Sequence, residues 1–265
     1  MKFVPKRLRH TADVSRGTTS LKGWIQNAVS GLLTIVLIYV GIGLVTNIVV
    51  SNISEDTEAR WFSWTFQALA LASEDNDERL QPAQEIFARL IEHSDVRPLP
   101  YELFLIDLPA PNALALPGGG VGITSGLLEE VGSETGLAMV LAHELGHHED
   151  RHSLKRIGRT LVWNTLIGVA LGNVDLSALE MGIRLSETGY GRNQERDADE
   201  FGMRLVHEVY GHTRGALEFF ELVGAKSGQD EARWTEFMST HPLTAERISD
   251  LQALQRELNA GLLAD

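Results

Sequence analysis

"LAHELGHHEDRH", residues 141–152, carries the pattern H-E-x-x-H twice in succession. His143-Glu144-Leu145-Gly146-His147 is the first copy, and His148-Glu149-Asp150-Arg151-His152 follows at once. On an α-helix, residues i and i+4 share a face, about 40° apart. Two histidines at that spacing can turn imidazole nitrogens toward one Zn²⁺ at about 2.0–2.1 Å. The glutamate at i+1 stands beside them without ligating. From there it can take a proton from zinc-bound water and later hand it to a leaving amine.

The two copies cannot hold one ion between them, because five residues turn a helix by about 140°. "GLAMVLA" (136–142) precedes the first copy and is apolar around the whole helix. That predicts burial and sets Glu144 in a low-dielectric wall. The second copy has Asp150 and Arg151 as its inner residues, with Glu149 and Lys155 nearby. This is the composition of a helix end emerging into water, so the first register is expected to hold the metal. His148 and His152 prolong the stripe Leu137, Leu141 and Leu145, and a structural role at its polar end is expected of them.

A hydrolytic zinc needs a third protein ligand and one position open to water. The chain has no cysteine, so that ligand must be His, Asp or Glu. Downstream candidates are Glu180, Glu187, Glu195, Asp197 and Asp199. "NQERDADEFG" (193–202) is the most suggestive place. Glu195 and Asp199 share a helix face, so Glu195 can ligate while Asp199, one turn on, accepts the N–H of a ligating histidine and fixes its tautomer. A solvated acidic face has the same composition, since Asp197 and Glu200 are charged too.

The rest of the chain frames this motif. Of its 265 residues, 43% are apolar, enough for a packed core, and the net charge is −13. An acidic chain would repel a phosphate backbone, so no nucleic-acid partner is expected. Residues 1–23 run against this balance, with Lys2, Lys6, Arg7, Arg9, Arg16 and Lys22 against Asp13 alone. No charged side chain occurs between Lys22 and Glu55. At about 1.5 Å per residue, that stretch can cross the roughly 30 Å hydrocarbon layer. A transmembrane anchor over 24–50 is therefore expected, with the basic N-terminus (1–23) in the cytoplasm and the larger part of the chain outside it. Trp61, Phe62 and Trp64 fit either a lipid interface or the core.

Apolar spacings predict two helices over 55–94, a helical lead-in spanning 51–98. "YELFLID" (101–107) reads as a strand, and "NALALPGGGVGIT" (112–124) as extended structure whose Pro117 and Gly118–Gly120 suggest an edge or a bulge. Ser133 is placed to cap a long helix running through the double motif. "LVWNTLIGVALG" (161–172) is a further apolar helix, too short to span a bilayer and read as buried in preference to membrane-touching. Helices follow at 192–209, 213–225 and 243–259. The predicted class is α+β, mainly helical, with a small sheet and one preceding transmembrane helix.

Four ordered blocks carry a family resemblance: "NALALPGG" (112–119), "GLLEEVGSETGLAMVLAHELGHHEDRH" (126–152), "ERDADEFG" (195–202) and "STHPLTAERI" (239–248). Together they resemble the zinc endopeptidases that include the heat-shock peptidase HtpX, the CAAX prenyl endopeptidases, the mitochondrial Oma peptidase and periplasmic bacterial relatives. The resemblance implies a gluzincin-type peptidase domain, placed at 99–265. It implies one zinc per chain on His143, His147 and Glu195, with Glu144 as base and Asp199 behind a ligand. It further implies that His241 and Arg247 face the active site, touching substrate or the developing oxyanion, and that the matching histidine can approach the zinc and block it. Gly191-Arg192 stands where the family often has Ser-Arg, and one clear span is present where HtpX and the CAAX enzymes have several. The chain therefore looks closest to the Oma and periplasmic branch.

In the resembling enzymes an extended peptide pairs with the sheet edge beside the zinc, and "ALPGGGVGIT" (115–124) suits close backbone approach. The expected activity is hydrolysis of unfolded, damaged or membrane-associated proteins. The expected setting is a bacterial inner membrane with the peptidase domain in the periplasm, or alternatively a mitochondrial inner membrane. The rival expectation is a non-catalytic zinc-containing adaptor or holdase, with His241 as a fourth ligand.

Overall fold

The computed structural model describes residues 21–72, 78–171, 191–226 and 231–261. Two compact units are present, Met1–Val45 and Thr46–Asp265. A single helix, α1 (Leu21–Ser51), is long and apolar enough to cross a membrane, alone in this among the described residues. It is followed by α2 (Glu55–Ala72) and α3 (Gln81–Glu92). The buried face of α3, Ala83, Ile86, Phe87 and Leu90, belongs to the main hydrophobic core.

A three-stranded sheet comes next, formed by β1 (Glu102–Ile106), β2 (Ala113–Leu116) and β3 (Gly120–Thr124) in the order β1-β3-β2. β3 pairs parallel to β1 and antiparallel to β2. The glycine-rich strand is thus central rather than an edge. Gly122 is crowded from both sides, with an added Cβ falling 2.9 Å from Ile106 Cδ1 and 3.3 Å from Leu114 Cγ. Its missing side chain makes room for two large neighbours that cross over the middle strand. The edge beside the motif helix is β2, and Gly118 and Gly119 (φ 89° and 107°) form the turn of an ordinary hairpin.

After α4 (Ser125–Glu130) the central helix α5 (Glu134–Glu149) begins at Ser133, whose Oγ accepts from the Gly136 N–H at 3.1 Å. Every residue of α5 from Gly136 to His148 is buried. It lies mainly against α7 (Arg192–Tyr210), with α3 and β2 on its other sides. Two glycines allow the close α5–α7 approach. A Cβ at Gly146 would meet Ala198 Cα at 2.9 Å, and one at Gly202 would meet the His143 nitrogen at 3.0 Å.

One long helix through both H-E-x-x-H copies is not what forms. α5 stops at Glu149, Arg151 takes a left-handed conformation (φ 52°), and α6 (His152–Leu171) starts anew. Nor does the second copy emerge into water, since His148, Arg151 and His152 are all 3% exposed. Of the charges that suggested a surface, Arg151 is instead neutralised in the interior, while the Asp150 side chain stays half-exposed. Arg151 meets Glu58 at 3.2 Å and Glu55 at 3.3 Å and donates to the Val50 carbonyl, while Arg97 bonds Glu55 and, through its backbone, Glu149. Phe62 packs in a small cluster with Val50, Leu154 and Ile157, whereas Trp61 and Trp64 are exposed.

The apolar run from 161 to 171 continues α6; Val162 is exposed, and the side chains of 166–171 and the whole of residue 172 lie outside the described residues. α8 (Glu218–Lys226) starts later than the sequence suggests, because Thr213–Gly215 turns first. α9 (Glu231–Thr240) is unanticipated, and α10 (Ala245–Gly261) closes the described chain. Trp234 and Phe237 anchor α9 in the core against Phe219.

Candidate metal centre

Four side chains converge between α5, α7 and the end of α9. His143, His147, Glu195 and His241 each offer a ligand atom, and these atoms all lie within 4.8 Å of one another. The Nε2 atoms of His143 and His147 are 3.1 Å apart. Glu195 approaches them at 3.7 and 3.5 Å, and His241 Nδ1 is 3.3 Å from both His143 Nε2 and Glu195 Oε1. All four residues are buried to 2% exposure or less. Zn²⁺ accepts both imidazole nitrogen and carboxylate oxygen as ligands, so the set fits that ion. Glu144 lies at the same place, with its Oε1 3.6 Å from His241 Nε2 and its buried Oε2 without a hydrogen-bond partner among the described residues. A carboxylate oxygen so placed is open to a proton from a reacting group.

The electrostatics divide the two glutamates. Burial raises Glu144 above the ordinary carboxylate range, against the lowering pull of His241 and His143. Burial works the same way on Glu195, yet the charge of His241 and hydrogen bonds from His147 and His241 hold it well below that range. For His241, burial opposes the charge but the Glu195 and Glu144 carboxylates outweigh it and raise its pKa. Burial drives His147 well below its usual value. One carboxylate is thus kept anionic and the other made more basic, the division of labour that separates a ligand from a proton acceptor.

The remaining predicted residues sit as follows. Asp199 Oδ1 is 3.0 Å from His143 Nδ1, the ring nitrogen facing away from the cluster. Arg247 reaches the metal group at Glu195. Its Nε and Nη2 bond both Asp199 oxygens at 2.8 Å, and its Nη1 bonds Glu195 at 2.6 Å and the Pro242 carbonyl at 2.9 Å. The guanidinium thus bridges the Asp199 and Glu195 carboxylates. Asp197 is exposed and joins Asp150 and His152 instead. Glu180 and Glu187 lie outside the described residues. Gly191 caps α7 without a side chain, and the Gln194 Oε1 accepts the Gly191 N–H at 3.0 Å, so half of a capping box survives the loss of serine.

In the second copy, the His148 Nε2 meets the Gly120 carbonyl at 3.1 Å and its ring edges Tyr101. His152 turns inward to His147, at 2.9 Å between their Nδ1 atoms. Sequence reasoning missed this contact, and it missed the two glycines. Gly in a helix interior costs stability, and that was the available signal for Gly146 and Gly202.

A buried histidine pair at i, i+4 joined by a glutamate from a second helix, with a basic glutamate beside them, defines a metallopeptidase-type zinc centre. Residues 77–255 match the family described as Peptidase family M48. The chain belongs to that family, whose members are zinc-dependent. It is 34% identical over 173 residues to the mitochondrial metalloendopeptidase OMA1 of Schizosaccharomyces pombe, covering 63% of this chain and 50% of that protein. Against the beta-barrel assembly-enhancing protease of Escherichia coli it is 27% identical over 179 residues, covering 61% and 36%. The Saccharomyces cerevisiae OMA1 is 27% identical over 169 residues, covering 61% and 49%. The chain spans half or less of the length of these relatives.

Proposed function

We propose that the protein is a zinc-dependent endopeptidase, held to a membrane by residues 24–50, that hydrolyses peptide bonds of unfolded, damaged or membrane-associated proteins. The observation that carries this is Glu144 beside the His143–His147–Glu195 group, raised in pKa and with one oxygen free. Bound zinc would lower the pKa of a water molecule and polarise the scissile carbonyl. His143, His147 and Glu195 would hold the ion. Glu144 accepts the proton of the attacking water and passes it to the leaving amine. His241, whose pKa is raised, is a donor for the developing oxyanion. Asp199 and Arg247 hold the ligands in place.

A substrate strand would lie along β2, displacing partners that its outward backbone groups already hold, the Asn112 Oδ1 on the Ala113 N–H among them. Ala113 and Ala115 direct their backbone groups away from β3. The Ala113 carbonyl meets His241 Nε2 at 3.3 Å, the Ala115 carbonyl meets Ser153 Oγ at 2.7 Å, and the Ala115 N–H faces Glu144. An extended peptide pairing there would sit directly beside the proton acceptor. The basic flank of the anchor supports a cytoplasmic N-terminus with the catalytic unit in the periplasm, or the equivalent topology in a mitochondrial inner membrane. The E. coli relative's name, beta-barrel assembly-enhancing protease, fits the first setting, and the OMA1 name the second.

One observation favours a second reading. His241 Nδ1 lies within the ligand group, so it could complete four protein ligands and leave the zinc structural, as in an adaptor or holdase. The full chain, purified in detergent, separates the two. Casein cleavage that a chelator abolishes while the circular dichroism stays unchanged supports the endopeptidase; loss of fold on chelation, without any cleavage beforehand, supports the holdase.

A further inference from the structure

We infer that His152 is a positioning residue for the metal ligand His147, fixing its tautomer and ring plane from behind. The inference rests on the proposed reading of His143, His147 and Glu195 as zinc ligands.

The geometry sets the protons. His147 turns Nε2 into the ligand group, 3.1 Å from His143 Nε2 and 3.5 Å from Glu195 Oε1. A ligating nitrogen must present a lone pair, so the neutral ring carries its hydrogen on Nδ1. That N–H points at His152 Nδ1, 2.9 Å away, with the rings inclined by 67°. His152 Nδ1 must then be the acceptor, and its own hydrogen sits on Nε2, which faces Asp150 Oδ2 at 3.9 Å. The result is a buried contact from ligand to imidazole, with the Asp150 carboxylate beyond hydrogen-bond distance on the far side.

The break in the helix is what builds this contact. On an uninterrupted helix His152 would lie about 140° around the axis from His147 and could not reach its ring. The left-handed Arg151 reverses the chain so that His152 opens α6 and folds back over His147. Arg151 is itself fixed in that unusual conformation by Glu58, Glu55 and the Val50 carbonyl. Both metal histidines are therefore held from behind, but by unlike partners. His143 has the Asp199 carboxylate at 3.0 Å, and His147 has an imidazole. Partners of this kind tune metal affinity by roughly 10–100-fold.

The test measures zinc affinity by chelator competition, and the visible d–d spectrum after cobalt(II) substitution, on the full chain in detergent. His152→Phe removes the acceptor at similar volume. His152→Asn keeps one, because its Oδ1 falls near the position of the imidazole Nδ1. The Phe variant should bind zinc roughly 10–100-fold more weakly with an altered cobalt spectrum, and the Asn variant should recover most of both. Wild-type affinity and spectrum in the Phe variant would overturn the inference. So would equal weakness of both variants at unchanged zinc-free stability. A fall from two bound ions to one, with the remaining affinity unchanged, would instead assign His152 to a separate ion with Asp150 and Asp197, and would overturn it too. A wild type that binds no zinc would remove the reading of the site and this inference together. Zinc bound by the wild type with unchanged variants would remove the inference alone.

Discussion

Gly202 of α7 lies against the backbone of His143 on α5, so close that a Cβ there would come within 3.0 Å of the His143 nitrogen. Gly146 does the same in reverse, facing Ala198. The two bare positions set the helix separation at which Glu195 reaches both histidines. Alanine is intrinsically the better helix former by about 1 kcal/mol. Here that gain is outweighed, because the obstructing atoms are backbone and cannot yield without moving a helix. Gly146→Ala and Gly202→Ala should each destabilise the zinc-free protein by about 1–3 kcal/mol in urea unfolding, and weaken zinc binding. Increased stability in either would show that the helices have slack.

Arg247 is 4% exposed and bonds two buried carboxylates. Its replacement by Met leaves Asp199 and Glu195 without their cation. Removing one partner of a buried ion pair costs about 3–5 kcal/mol. Thermal unfolding should fall accordingly, and Arg247→Lys should recover only part of the loss, because an ammonium cannot bond both Asp199 oxygens in parallel.

The two registers differ in what they lose. His143→Ala should release zinc, whereas His148→Ala should retain it, as read by metal analysis of the purified protein. His148 bonds the Gly120 carbonyl and stands outside the ligand group.

Burial pushes the His148 imidazole down to about 4 from its usual 6.5. The unfolded chain therefore binds a proton there more readily than the folded one. Stability is present above pH 6.5 and is lost as pH falls from about 6.5 to about 4, by up to about 3 kcal/mol. His152, pushed to about 3 by burial and Lys155, adds in the same direction. His148→Gln keeps a donor for Gly120 and removes this titration. Urea midpoints of the variant should decline less steeply across that window than those of the wild type.

The central helix, its cap at Ser133 and the metal register were legible because their signals are local: an apolar run, a capping residue and an i, i+4 spacing. Glu195 was legible as a candidate by its spacing to Asp199, and the ordered blocks singled it out. The turn at Asp150–Arg151 was not. A run of charged residues reads as solvent-facing, and only the tertiary arrangement of Glu55 and Glu58 reveals that Arg151 is paired inside. The same limit explains β3. Glycines mark an edge or a bulge by propensity, yet Gly122 sits mid-sheet, where Ile106 and Leu114 take the space its side chain would fill. α9 went unseen because it is short, and its core residues Trp234 and Phe237 are too few to set a period.

The central claim is that Glu144 performs proton transfer at a zinc held by its neighbours. Zinc content and casein cleavage, measured on the same preparation of Glu144→Gln, test it most directly. The account predicts about one zinc per chain, as in the wild type, and cleavage reduced by at least about 10²-fold. Cleavage at the wild-type rate by the zinc-loaded variant would contradict it.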